Sequence, residues 1–322
     1  MNKMINFRSV LAEQMQQFVA FKRMQGYDYS SQARTLSYFD RFLFEAFEGV
    51  QAQCLSLDAL QGYVGTTAHL EGYSRCKRLS SLREFTRYLH ARSPNSVFLP
   101  KDIVPHRKAV VRFYRISPAQ VADIMAASVS VLPAKSIRTH AIRVLIGLLY
   151  CTGLRISEAL SLTLGDIDMQ RSVLHVAKGK FNKQRLVPIS PSTLTALSSY
   201  LAVRCSHAGT GRGSPLFIGS YDKALSPQQA YRGFVRLCQY CGFNDKPSPR
   251  LHDLRHNYAC CRLALWREEG RDIHAMLPVL ATAMGHVSIV NTQIYLHMEL
   301  GDLCHAATLL NTRLNTHSEI KQ

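Results

Sequence analysis

Four short stretches of this 322-residue chain carry side chains suited to work on a phosphate. Thr152-Gly153-Leu154-Arg155-Ile156-Ser157-Glu158 puts a guanidinium at the start of a helix, just after a glycine turn. Leu251-His252-Asp253-Leu254-Arg255-His256 sets a His and an Arg three residues apart. Gly285-His286 is followed nine residues later by Tyr295, and Lys178, Lys180 and Lys183 lie just ahead of Arg185-Leu186-Val187-Pro188-Ile189. Cutting a phosphodiester with a side chain needs an oxygen attacking in line, positive charge on the non-bridging oxygens, and a proton for the leaving oxygen. Tyr295 supplies the oxygen, and a phosphotyrosine conserves the bond energy for rejoining. Arg155 and Arg255 each offer a planar, permanently charged fork to phosphate oxygens. His286 donates to the same oxygens; His252 does so too, or shuttles the Tyr proton. Glu158 and Asp253 are expected to orient Arg155 and the nearby His residues. His256, His297 and His305 are read as structural. No ATP motif and no carboxylate cluster for a metal is present, so metal-free transesterification without a cofactor is expected.

The elements that position these groups follow from apolar spacing. Residues 8–25 show helical periodicity that Gly26 ends, and Ser30 or Ser31 caps a second helix through Phe47. Leu57–Thr67 and Tyr73–Ala91 are the third and fourth, the last bearing Arg75, Lys77, Arg78, Arg83 and Arg87. Four helices with an aromatic interior make a bundle of about 80 residues. Residues 96–117 read as a basic linker, punctuated by Pro100 and Pro105. Beyond it, Ser117-Pro118 opens a helix, and Ile137–Cys151 and Ile156–Leu162 are helical. Arg171–Ala177 and Arg185–Ile189 are two strands of a hairpin. Pro191 and Pro227 open two more helices, the second ending at Gly242. His252–Trp266 and Ile273–Met284 follow, with Trp266–Asp272 as a surface loop. Gly285 ends one helix and Asn291 caps the short one that carries Tyr295.

Lys plus Arg number 39 against 22 Asp plus Glu, a formal charge of +17. Residues 1–110 hold 15 basic and 9 acidic groups, so the excess is no tail: both halves are basic, as for a protein touching a polyanion. Nine Cys without framework spacing, no signal peptide and no apolar run of roughly 20 residues point to a reduced, cytoplasmic, nucleoid-associated protein that avoids membranes. Cys238 and Cys241 resemble half a zinc site but are read as positions on an amphipathic helix.

The four stretches, in this order, resemble the motifs of tyrosine recombinases of the Xer and phage-integrase type, over most of residues 118–298. The resemblance implies a mainly α fold: an N-terminal four-helix core-binding (SAM-like) domain at 1–95, a linker at 96–117, and at 118–322 a mixed α/β catalytic domain with a small antiparallel sheet. It implies that Arg155, Lys180, His252, Arg255, His286 and Tyr295 are catalytic. Lys180 is the choice for general acid because it precedes Arg185 by the family's usual interval, with Lys178 and Lys183 as competitors. It also implies double-stranded DNA with paired sites as substrate, a homotetramer on DNA, a Holliday junction, and accessory recombinases or DNA-bending proteins as further partners. The stretch between Arg255 and His286 is longer than in compact Xer sequences, which is closer to transposon integrases. A type IB topoisomerase and a catalytically silent DNA-binding protein are the alternatives.

Overall fold

The computed structural model describes residues 5–46, 54–103, 113–133, 136–177, 184–219, 221, 223–245, 247–286 and 288–296. Lys178, Lys180, Lys183, Pro105, His297 and His305 lie outside the described residues. The chain divides into two units, Met1–Val111 and Arg112–Gln322, each with its own core.

The first unit holds α1 (Ala12–Met24), α2 (Ser30–Ala46), α3 (Leu57–Thr66) and α4 (Gly72–Arg92). Apolar positions three and four apart face inward, so Met15, Phe18, Leu36, Phe39, Leu60, Leu82 and Phe85 make one core. Its interior is aromatic, with Phe18 edge-on to Tyr29 at 5.4 Å and Phe39 to Tyr63 at 4.9 Å. The α3 start is capped by Ser56, whose hydroxyl accepts from the Ala59 N–H. Residues 97–99 pack on this bundle: Val97 N–H bonds Leu55 O, and Leu99 is buried. The basic face of α4 is partly committed to the fold, since Arg78 stacks on the Tyr38 ring at 4.1 Å and Arg83 bonds the carbonyls of Pro100 and Lys101. Lys77 and Arg87 are exposed.

In the second unit, α5 (Pro118–Ala126) opens with a capping box between Ser117 and Gln120, and α6 (Ser128–Val131) is a single turn. The apolar α7 (Ile137–Thr152) is the central helix, buried on most sides, and ends at Gly153 with φ +63°. The short α8 (Ile156–Ser161) follows. Three antiparallel strands come next in sequence order: β1 (Ile167–Asp168), β2 (Val173–Val176) and β3 (Arg185–Pro188). Leu174 stands opposite Val187 and Val176 opposite Arg185. Leu174, Val176 and Val187 turn into the core, while His175 and Leu186 point out, the alternation a one-sided sheet requires. Then come α9 (Pro191–Cys205), α10 (Pro227–Tyr240), α11 (Leu251–Glu268) and α12 (Ile273–Met284). Residues 290–296 are helical again.

Several boundaries differ from the sequence reading, each for a local reason. The strand β1 is too short to show a period. The helix α11 runs through Trp266 to Glu268 because the Trp266 ring is buried against Leu263 and Leu277, so the expected surface loop shrinks to residues 269–272. Ser288, not Asn291, starts the last helix: its hydroxyl accepts from Val290 N–H and its carbonyl from Asn291 N–H. Cys238 is buried on α10, and among the described residues no cluster of His, Cys, Asp or Glu could hold a metal. No described helix is long and apolar enough to cross a membrane.

Candidate active site

The site is built at the C-terminal end of α12. Gly285 takes φ +67°, and His286 N–H reaches back to Ala281 O while Gly285 N–H reaches Thr282 O. That 6→1 and 5→2 pair is a Schellman turn, open here to glycine because it carries no Cβ. It leaves the carbonyls of Ala283, Met284 and Gly285 without helical partners. Three guanidinium groups take them in order. Arg185 Nε bonds Ala283 O at 2.9 Å, Arg255 Nη2 bonds Met284 O at 2.7 Å, and Arg155 Nη2 bonds Gly285 O at 2.9 Å. Cations at a helix C-terminus also meet the negative end of its dipole. Arg255 spans further, donating from Nη1 to Gly153 O, so one side chain of α11 joins the ends of α7 and α12.

Glu158, on α8, supplies the counter-charge. It is 2% exposed and accepts from the Arg155 backbone N–H at 2.9 Å and from Arg155 Nη1 at 2.7 Å. Its other contact is Arg185, with Nη2 at 2.8 Å and Nη1 at 3.2 Å. Burial alone would raise this carboxyl's pKa, but the hydrogen bonds and charge of Arg185 and Arg155 bring it down to about 2. Arg255 itself is lowered to about 10 by burial and by Arg155, and it stays charged at neutral pH.

Tyr295 is almost fully buried, at 2% exposure. Its ring lies parallel to that of His286, centroids 6.4 Å apart, and its hydroxyl shares a 2.9 Å hydrogen bond with His256 Nδ1. Burial raises the phenol to about 12, against the opposing pull of Arg255. His286 is positioned by Thr292, 2.8 Å from Nδ1, and is lowered to about 4 by burial and then by Arg255 and Arg155. His252, exposed at the first turn of α11, meets His256 edge-on at 4.7 Å. Its pKa is lowered by desolvation and by Arg255.

The structure thus brings Arg155, His252, Arg255, His286 and Tyr295 to one locality, while Lys180 lies outside the described residues. Two residues the sequence reading passed over stand among them. Arg185, read only as the start of a strand, grips both Glu158 and the end of α12, a role that no local sequence pattern marks. His256, read as structural, touches the Tyr295 hydroxyl. Asp253 departs from its expected part: it caps α11 by accepting from Arg250 N–H at 2.8 Å and pairs with the Arg250 guanidinium at 2.7 Å, not with a histidine.

Residues 114–300 match the model of the phage integrase family. "Putative integrase/recombinase y4rE" of Sinorhizobium fredii is 32% identical over 305 residues, spanning 94% of this chain and 97% of its own length. Tyrosine recombinase XerC of Myxococcus xanthus is 31% identical, over 80% of this chain and 82% of its own. Among solved structures, the XerH recombinase bound to its difH substrate after cleavage superposes with a TM-score of 0.66 at 19% identity, covering 87% of this chain and 80% of XerH. A lambda integrase dimer on a core site does so with a TM-score of 0.63 at 15% identity, covering 88% and 76%. Those two likenesses concern the fold alone. The chain belongs to the phage integrase family and is a tyrosine recombinase.

Proposed function

We propose that the protein recombines DNA at specific sites, cutting and rejoining each strand through a 3′-phosphotyrosine on Tyr295. The observation that carries this is the packing of a phenol between two histidines beside a cluster of permanently charged guanidinium groups at one helix end. Arg155 and Arg255 clamp the scissile phosphate and offset its developing charge, and His286 adds a donor. Lys180 protonates the leaving 5′ oxygen. The charge a metal would bring comes from the arginines, so cleavage persists in EDTA and needs no nucleotide.

The unit at 1–95 and the catalytic unit at 118–322, joined through 96–117, both engage the duplex, as the +17 charge supports. Two copies on each of two paired sites form a tetramer that passes through a Holliday junction. A solved lambda integrase tetramer of the same fold, bound to a Holliday junction, is a parallel for that assembly.

The test is a duplex nicked beside the scissile phosphate, drawn from DNA flanking the protein's own gene. The wild type forms a covalent adduct at one sequence; Tyr295→Phe binds that DNA and forms none. An adduct retained by the Phe variant would refute the nucleophile. Relaxation of unrelated supercoiled plasmids by the wild type would point to a topoisomerase instead.

A further inference from the structure

His256 occupies a place that no role yet given to it requires. It follows Arg255 directly and lies one helical turn beyond His252, on the buried side of α11. Phe113 covers one part of its ring at 5.2 Å between centroids, and Tyr295 meets another at 5.6 Å. Its Nδ1 is 2.9 Å from the Tyr295 oxygen, while the exposed His252 ring stands against it at 4.7 Å. A line of polar groups therefore leads from the buried phenol outward: Tyr295 Oη, the His256 ring, the His252 ring, solvent. The charged and titratable groups around His256 are His252, Asp253, Arg250 and Arg255 on or beside its own helix, with Tyr295 across from it and His286 on the far side of that ring. Burial, then His252, lowers its pKa to about 4. At neutral pH a protonated phenol thus faces an uncharged imidazole.

We propose that His256 is a catalytic residue of the cleavage step, accepting the Tyr295 proton as the phenol oxygen attacks phosphorus. The proposal rests on the reading of Tyr295 as nucleophile. As the Oη–P bond forms and the bond from phosphorus to the 5′ oxygen breaks, the Oη–H proton passes to Nδ1. The Nε2 proton of His256 moves on to His252 or to water, and the leaving oxygen is protonated separately by the general acid. A cation resting on His256 would stand beside Arg255, so the exposed ring of His252 is its outlet. Rejoining runs the same path backwards.

His256→Asn separates holding from proton transfer, because the amide oxygen sits near the Nδ1 position and accepts a hydrogen bond but takes no proton. Single-turnover adduct formation on the nicked duplex is expected to fall about 10²-fold or more. Duplex binding and thermal melting should stay at wild-type values, and the residual rate should climb with pH as hydroxide replaces the base. On a duplex with sulfur in place of the bridging 5′ oxygen, whose leaving thiolate needs no acid, the Asn variant should remain slow. His256→Ala should regain adduct formation when imidazole is added, and decides alone should the Asn variant melt early. Wild-type cleavage by H256N would overturn the proposal, as would a slow H256N with a flat pH profile or an H256A deaf to imidazole. No adduct from the wild type would instead fail the nucleophile reading, and this proposal with it.

Discussion

Arg155 and Arg185 share a single carboxylate, that of Glu158, at 2.7 Å and 2.8 Å. One guanidinium comes from the turn before α8 and the other from the first residue of β3. Glu158 therefore ties the sheet to the C-terminal end of α12, the proposed seat of the phosphate. Glu158→Gln keeps the shape and removes the charge, leaving two cations uncompensated. Breaking a buried ion pair in this way costs on the order of 3–5 kcal/mol. Urea unfolding should show a loss in that range, and adduct formation should fall at least tenfold. Arg185→Lys keeps the charge but loses the fork, and should show a smaller loss of both.

Gly285 is the next point of leverage. A Cβ there would come within 2.7 Å of Arg185 Nη1, at a backbone φ of +67° that side chains resist. Gly285→Ala should cost about 1–2 kcal/mol from the backbone alone. Because Arg185 must also move, cleavage should drop more than stability does. Denaturation and single-turnover assays on one preparation check this.

Acid should unfold the second unit in two stages. His256 and His286 are held near a pKa of about 4, below the roughly 6.5 of an unfolded histidine. Between those values the unfolded chain binds more protons, so the contribution is complete above about pH 6.5 and is lost as pH falls toward 4. The slope is at most about 1.4 kcal/mol per pH unit for each histidine. Glu158, held at about 2, adds a second loss below its ordinary value of 4.5. Urea midpoints at pH 7.5, 6 and 5 should decline steadily, with His256→Asn flattening the curve.

Duplex affinity should fall steeply with salt, in a straight line on logarithmic axes, as phosphate contacts release counterions. Lys77→Ala and Arg87→Ala, on the exposed part of α4, should each reduce that slope by about one. Arg83→Ala should affect melting more, because Arg83 is bound to the carbonyls of Pro100 and Lys101. Fluorescence anisotropy across a salt series reads the first effect and thermal melting the second.

Much of this was legible in the residues. Helical spacing located the four-helix bundle and α7, and Gly285 announced the end of α12 because only a left-handed turn fits there. Ser117-Pro118 and Ser226-Pro227 marked helix starts through capping chemistry that depends on adjacent residues. The misses are long-range. Arg185 and Glu158 are 27 residues apart and His256 and Tyr295 are 39, so no local pattern links them. Asp253 was misread because a carboxylate at the third position of a helix serves its own N-terminus as readily as a neighbour's histidine. The sequence ends the helix at Trp266, two residues short, because the ring's burial in a cluster with Leu277 of α12 is a long-range contact.

Three guanidinium groups meet at the end of α12 with one carboxylate, bonded to two of them, and burial, Arg155 and Arg185 all disfavour the charge on Arg255. The resting pocket is therefore under electrostatic tension, with like charges pressed together by the packing around them. An arriving anion relaxes that tension, so the occupied molecule is the more comfortable of the two. Even inorganic sulfate should raise the melting temperature, and the protein should keep better in sulfate than in chloride of equal ionic strength.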